Sequence, residues 1–281
     1  MNFQNNIFFK KVKDYSVSKE VFELHHNPEY DLLITFPKPS LEQLPSYYES
    51  EDYISHTDGK RSMFEKMYHT IKNIALKNKI KLINAHSKKG TILDIGAGTG
   101  DFLVFAKKEG WDTTGIEPSA KAKAIAITKG VTFADNLADF ESNSFDIITM
   151  WHVLEHVPNL DEYISELKRL LKPSGAILIA VPNFKSFDAE YYGKFWAAYD
   201  VPRHIWHFSK TAIHKLFAEK EMRLVTILPM KFDSFYVSLL SEKYKTGKMN
   251  FIKAFFVGLQ SNTNAKKTKE YSSHIYIIKN M

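Results

Sequence analysis

An α/β fold with one mostly parallel sheet follows from three features of the sequence. From about residue 90 onward, strand-like and helix-like segments alternate, as they do when strands are joined by crossover helices. The first of those strands, Gly90 to Ile95, runs straight into a glycine cluster. A later segment, Ala176 to Val181, is a nearly continuous apolar run, as in a strand covered on both faces. At 281 residues the chain exceeds one small domain and falls short of two full ones, so it can hold one large core with appendages. The absence of cysteine excludes disulfide scaffolding, Cys-ligated metal and a thiolate nucleophile. No segment reaches the ~20 apolar residues of a membrane span, and a soluble, cytoplasmic protein is expected.

Residues 1 to about 58 are rich in Tyr and Pro and read as short strands, turns and a helical piece rather than a compact core. A helix is expected from about Lys60 to Asn84, where Met63, Met67, Ile71 and Ile74 recur at helical spacing. Its other side is basic: nine Lys or Arg stand against one acid between Lys60 and Gly90, either a solvated face or a surface for anionic partners. After the first strand come a helix from Asp101 to Glu109, a strand from Trp111 to Ile116, and a helix from Ser119 to Lys129 closed by Gly130. Val131 to Ala134 is the third strand, Phe145 to Trp151 the fourth, and Leu160 to Leu171 a helix stopped by Pro173 and Gly175. Ala176 to Val181 is the fifth strand. Ser209 caps a helix running to Ala218, and Arg223 to Leu228 is the next strand. Residues 229–270 form an aromatic, Lys-rich insertion read as a helical cap, and Ser272 to Ile278 is the last strand.

The loop after the first strand, Asp94-Ile-Gly96-Ala97-Gly98-Thr-Gly100-Asp101, places glycines where the backbone must turn tightly and a ligand must come close. Glu117 follows at the end of the second strand, placed to accept from two vicinal ribose hydroxyls. A nucleoside ligand is implied. The third glycine comes one residue earlier than in a dinucleotide loop, and carboxylates at Asp94 and Asp101 would repel a pyrophosphate. The same acids suit a cationic ligand such as S-adenosylmethionine.

Four stretches then resemble one family, the class I S-adenosylmethionine-dependent methyltransferases. Leu93 to Phe102 is similar to their first motif, and Gly115-Ile116-Glu117-Pro118-Ser119 to their acidic second motif. Phe145-Asp146-Ile147-Ile148 leading into Trp151-His152-Val153-Leu154-Glu155-His156-Val157 resembles the fourth-strand signature of the ubiquinone-biosynthesis-like branch, the methyltransferase type 11/12/23 group. Leu170 to Leu178 resembles the step into the fifth strand. The resemblance covers about residues 91 to 228. It implies a Rossmann-like seven-stranded sheet of order 3-2-1-4-5-7-6 with the last strand antiparallel, an N-terminal lid with the basic helix (1–89), and a core (90–281) carrying the cap (229–270). It also implies contacts: Asp94 and the Gly96, Ala97, Gly98 and Gly100 backbone at the methionine end, Glu117 at the ribose, and Pro118 on the adenine. Asp135 and Asn136 would stand at the base, Asp135 being otherwise an ordinary turn acid, with Trp151 and His152 completing the cofactor set.

Methyl transfer needs a base only where the nucleophile must lose a proton, and His is the usual agent. The expectation is His152 nearest the cofactor and His204 with Arg203 at the acceptor, while Glu155 and His156 brace the loop. No metal is expected. Met150-Trp-His-Val stands where amine and amide methylating enzymes typically carry an Asn- or Asp-Pro-Pro-Tyr sequence, and the missing cysteine removes a Cys-dependent carbon mechanism. A hydroxyl or carbon nucleophile on a small or lipid-like acceptor is left. Tyr47, Tyr48, Tyr53 and His56 would close over the cofactor or pack lid on core. The cap could meet a membrane surface through aromatics interleaved with lysines. The alternatives are an RNA methyltransferase using the basic helix and a catalytically weak S-adenosylmethionine-binding protein.

Overall fold

In the computed structural model, residues 1, 3–40, 42–48 and 63–281 are described, with the side chains of 63–72 excepted. The expected lid residues Tyr53 and His56, and the first basic residues of the expected helix, Lys60 and Arg61, lie outside the described residues. Seven strands form the main sheet: β4 (Thr91–Ile95), β5 (Asp112–Ile116), β6 (Thr132–Phe133), β7 (Phe145–Trp151), β8 (Leu171–Pro182), β10 (Met222–Pro229) and β11 (Ser273–Asn280). Their order is β10-β11-β8-β7-β4-β5-β6. Counted from β4, this is the expected 3-2-1-4-5-7-6. β11 runs antiparallel to both of its neighbours, and the β6-β5-β4-β7-β8 pairs are parallel.

One face of the sheet carries α1 (Met63–His86), α2 (Asp101–Lys108) and α3 (Ala120–Thr128). Ile80, Ile83, Phe102, Leu103 and Trp111 pack there against Ile92, Ile147 and Leu178. The other face receives α4 (Leu160–Leu170) and α6 (Lys210–Ala218). α4 shows the cause most simply: Leu160, Ile164, Leu167 and Leu170 recur at helical spacing and all are buried, while Asn159 accepts the Glu162 amide as N-cap. The expected cap Ser209 likewise accepts the Ala212 amide. Ala176 through Val181 are fully buried, so removing one large side chain there would cost about 2–5 kcal/mol. β8 starts five residues earlier than the apolar run, because Leu171 pairs with Phe145 and a register irregularity absorbs Pro173 to Gly175.

The N-terminal region has the expected short strands and helical piece (Leu44–Tyr48), but its strands pair and join the core. β1 (Ile7–Lys13), β2 (Val21–Asn27) and β3 (Leu32–Phe36) make an antiparallel meander completed by β9 (Trp206–His207). Tyr30, Leu32 and Ile34 join the main core, and Leu24 and Leu33 pack with the α5 (Phe187–Tyr192) region and the cap. The place of these strands in the core was not legible because β3 is buried along nearly its whole length, leaving no alternation to mark an inner face. The cap is a helical hairpin, α7 (Asp233–Thr246) and α8 (Phe251–Thr268).

Candidate active site

The glycine loop leaves the carboxyl end of β4 with the Gly96 and Ala97 amides donating to the Ile116 carbonyl (2.8 and 3.1 Å), which ties it to the end of β5. At Gly96, φ is +71° and a Cβ would stand 2.4 Å from Val153 Cγ2, so only glycine fits. At Gly98, φ is +54° and a Cβ would meet nothing within 4 Å, so the loop presents an open backbone. Gly100 is the left-handed N-cap of α2. Register puts Asp94 beside Gly115 and Ile95 beside Ile116, so Glu117 emerges next to the loop. Its two oxygens accept the Gly98 and Ser119 amides, each at 2.8 Å.

A cavity of about 270 Å³ opens beside this loop, between Asp94 and Trp151 on the sheet, Ala97 in the loop, and Leu76 and Lys79 on α1. Asp94 is buried and accepts the Thr149 hydroxyl at 2.6 Å. Burial pushes its pKa up to about 7, against the pull of Thr149 and Lys79. Lys79 Nζ stands 4.1 Å from the centroid of the Trp151 ring. Burial draws the Lys79 pKa down to about 8, opposed by Asp94 and Asp233. The indole Nε1 of Trp151 is buried without a partner among the described residues. Asp101 is already neutralised, since Lys129 Nζ donates to it at 2.9 Å and Thr99 Oγ1 donates to its other oxygen. Lys79 was hidden in the basic run. Its spacing with Leu76, Ile80 and Ile83 on one helical stripe was the available signal.

Pro118 and Asn136 are exposed at the ends of β5 and β6. Asp135 beside them is bound by Lys123 at 2.6 Å, which holds its carboxyl below the usual range. The Asn136 amide donates to Asp139, closing the turn after β6.

The second half of the site lies at the ends of β7 and β8. His152 takes φ +59°, a strained value for this residue type, and its amide donates to the Ala180 carbonyl at 2.9 Å. Its ring is held between two carboxylates, Nε2 at 3.1 Å from Asp233 and Nδ1 at 3.5 Å from Glu155. Burial works against the imidazolium, but the two carboxylates outweigh it and push the pKa up to about 10. Asp233, from the cap, had no signal in the sequence. Glu155 is 1% exposed, and both of its oxygens lack hydrogen-bond donors among the described residues.

Behind Glu155, His156 Nδ1 donates to the Arg203 carbonyl (3.0 Å) and meets the Tyr48 hydroxyl (3.0 Å). Burial and His204 pull its pKa down to about 4, so the ring is neutral. His204 Nδ1 donates to the Ala198 carbonyl at 2.9 Å, and His207 faces Thr35. One ligand-type atom each from Glu155, His156 and His204 lies within 4.8 Å of the others, the one group among the described residues spaced to approach a metal ion. Arg203 is buried and spends its guanidinium on Asp14 (2.9 Å), Asp200 (2.6 and 3.0 Å) and the Tyr47 carbonyl (2.8 Å). Tyr47 directs its own hydroxyl to Glu20, and Tyr48 points at His156.

Residues 63–227 match the family described as a methyltransferase domain. The ubiquinone biosynthesis O-methyltransferase of Pectobacterium atrosepticum is 28% identical over 172 residues, 56% of this chain and 69% of that protein. Its counterpart in Paraburkholderia phymatum is 32% identical over 132 residues, 43% of this chain and 57% of that protein. Among solved structures, a SAM-dependent methyltransferase from Archaeoglobus fulgidus superposes with a TM-score of 0.53 at 18% identity, covering 78% of this chain and all of the other. The geranyl diphosphate C-methyltransferase of Streptomyces coelicolor A3(2) gives 0.52 at 16%, covering 79% and 86%. These two likenesses concern the fold.

Proposed function

The chain belongs to the methyltransferase-domain family, and on that premise we propose that it moves a methyl group from S-adenosylmethionine to a hydroxyl of a small, lipid-like acceptor. The curated relatives are O-methyltransferases, which favours oxygen over carbon as the nucleophile. The observation that carries the reading is His152, held on a strained turn between Asp233 and Glu155 and directly following Trp151, which lines the cavity with Asp94 and Lys79.

The residues fit the cofactor. Gly98 leaves open the space a side chain would fill, Trp151 Nε1 is a buried donor without a partner among the described residues, and Asp94 is a buried acid facing the cavity. S-adenosylmethionine supplies an electrophilic methyl on a sulfonium whose charge disappears on transfer. Asp94 holds the ammonium, Lys79 meets the carboxylate, and Glu117, steered by two amides, accepts from the ribose hydroxyls. Pro118, Asp135 and Asn136 border the base, and Asp135 must first leave Lys123.

At the acceptor side, His152 Nε2 keeps its proton while Asp233 faces it. An acceptor hydroxyl that takes the place of Asp233 removes one of the two carboxylates that raise the His152 pKa. With its pKa lowered, Nε2 releases its proton to solvent, and the neutral ring can then take the hydroxyl proton, with Glu155 keeping Nδ1 oriented. Arg203 and His204, expected at the acceptor, act instead as positioning residues: every Arg203 donor direction is engaged, and His204 is tied to Ala198. The N-terminal part, residues 1–89, serves the site through Tyr48 and Lys79, and the cap insertion, 229–270, through Asp233.

Calorimetric titration with S-adenosylmethionine tests the cofactor half: no binding, or equal binding by Glu117→Ala, sinks it. Transfer of labelled methyl into a cell lipid extract, followed by identification of the product, tests the acceptor half.

A further inference from the structure

α8 is built inside out. The face it turns to α7 and the body is made of small residues, Ala254, Val257, Gly258, Ser261 and Ala265, all buried. A Cβ on Gly258 would stand 2.7 Å from the Phe235 ring, so the two helices close tightly. The large apolar side chains point the other way: Phe251, Ile252, Phe255, Phe256 and Leu259 are 45–73% exposed. They recur at helical spacing along the first half of the helix and form one continuous stripe. A soluble domain normally buries such residues, and a contiguous exposed set marks a surface meant to be covered.

The charges say what covers it. Residues 229–270 carry eight lysines and three acids. All three acids are engaged within the fold: Asp233 with His152, Glu242 with Lys253 at 3.4 Å, and Glu270 with Lys210 at 2.9 Å. Lys245 and Lys248, at the tip of the hairpin, and Lys266 and Lys267, at its far end, are exposed on either side of the stripe. An apolar stripe bracketed by cations with no free acid complements an anionic bilayer, where acyl chains lie beneath negative headgroups. The same hairpin reaches the site, because exposed Phe232 immediately precedes Asp233, the residue on His152 Nε2.

We infer that the α7–α8 hairpin docks this enzyme on an anionic lipid surface and delivers a membrane-dissolved acceptor to His152. The inference rests on the reading of the acceptor as lipid-like and names where that acceptor is collected.

Flotation of the full chain with phosphatidylcholine vesicles, with and without about a third phosphatidylglycerol, tests it. Binding to the anionic vesicles at least about tenfold above the neutral ones, weakening as salt rises, is expected. Phe255→Asp with Phe256→Asp should remove it, and Lys245→Glu with Lys248→Glu should remove the anionic preference. Unchanged calorimetry with S-adenosylmethionine shows that the variants remain folded. No vesicle binding, equal binding to neutral vesicles, or a dimer dissolved by the Phe255/Phe256 pair without vesicle binding overturns the inference. Vesicle binding accompanied by label only in water-soluble product keeps the docking and sinks the lipid-like acceptor, so the two failures are distinguishable.

Discussion

At the ends of β4 and β5 the site is assembled from neighbours: Asp94, the glycine loop and Glu117 lie within one strand–helix–strand unit, joined by backbone amides and a strand register. At the ends of β7 and β8 it is assembled from distant parts. Arg203 is 189 residues from Asp14, Tyr48 is 108 from His156, and Asp233 comes from the cap. The first half uses backbone geometry and few charges, and one of its two loop acids is silenced by Lys129. The second is a network of buried charges, so changes there couple stability to chemistry. The donor side is thus built for a fixed ligand, and the acceptor side depends on how the appendages dock.

Breaking the distant network should have the largest effect. Asp14→Ala leaves the Arg203 charge buried with one partner fewer and should cost about 3–5 kcal/mol in denaturant unfolding. Burial works against the Asp14 charge, but Arg203 and the Ser16 and Ser18 amides hold its pKa down at about 2. That stabilisation is present above the unfolded carboxyl pKa of about 4 and is lost as pH falls towards 2. An acid-unfolding midpoint unchanged in the variant would show that the Asp14–Arg203 pair does not stabilise the fold.

On the donor side, Asp94→Asn should weaken S-adenosylmethionine binding about 10- to 100-fold by calorimetry, the worth of a hydrogen bond to a charged group. Because Asp94 titrates near 7 and Lys79 near 8, wild-type affinity should rise with pH as Asp94 ionises and fall as Lys79 loses its proton. Asp94→Asn should flatten the rising limb and Lys79→Met the falling one, the latter with about a tenfold loss of affinity. Tighter binding by Lys79→Met would show that Lys79 competes with the cofactor rather than holding it.

The smallest effect tests the bridge between the halves. Asp233→Asn should bring the His152 titration, followed by NMR, down from about 10 by about 1–3 pH units. The raised His152 pKa stabilises the fold fully below the unfolded imidazole value of about 6.5, and that contribution fades as pH rises towards 10. The variant should show a smaller dependence, over a pH window narrowed by the same shift. An unmoved titration would assign the His152 shift to Glu155 alone.

Most of the sheet was legible because its strands are apolar runs separated by capped helices, and the cofactor loop because glycine at Gly96 and Gly98 meets a steric demand written in consecutive residues. Lys79 was legible only in hindsight, from one lysine on an apolar stripe. The N-terminal strands were expected but not their place in the core, because β3 is buried too completely to alternate, and Arg203 looked like a ligand for the acceptor because a sequence does not show which acids a guanidinium will find.

The sequence by itself determined the parallel core, its strand order through a family resemblance, and the type of cofactor, since these depend on periodicity and on residues close along the chain. Tertiary structure alone decided that Asp233 reaches His152, that Arg203 is spent on Asp14 and Asp200, and that α8 turns its aromatics outward. Each is a choice of partner among groups far apart in the chain, and burial and Coulomb energy select partners only once the fold has set the distances.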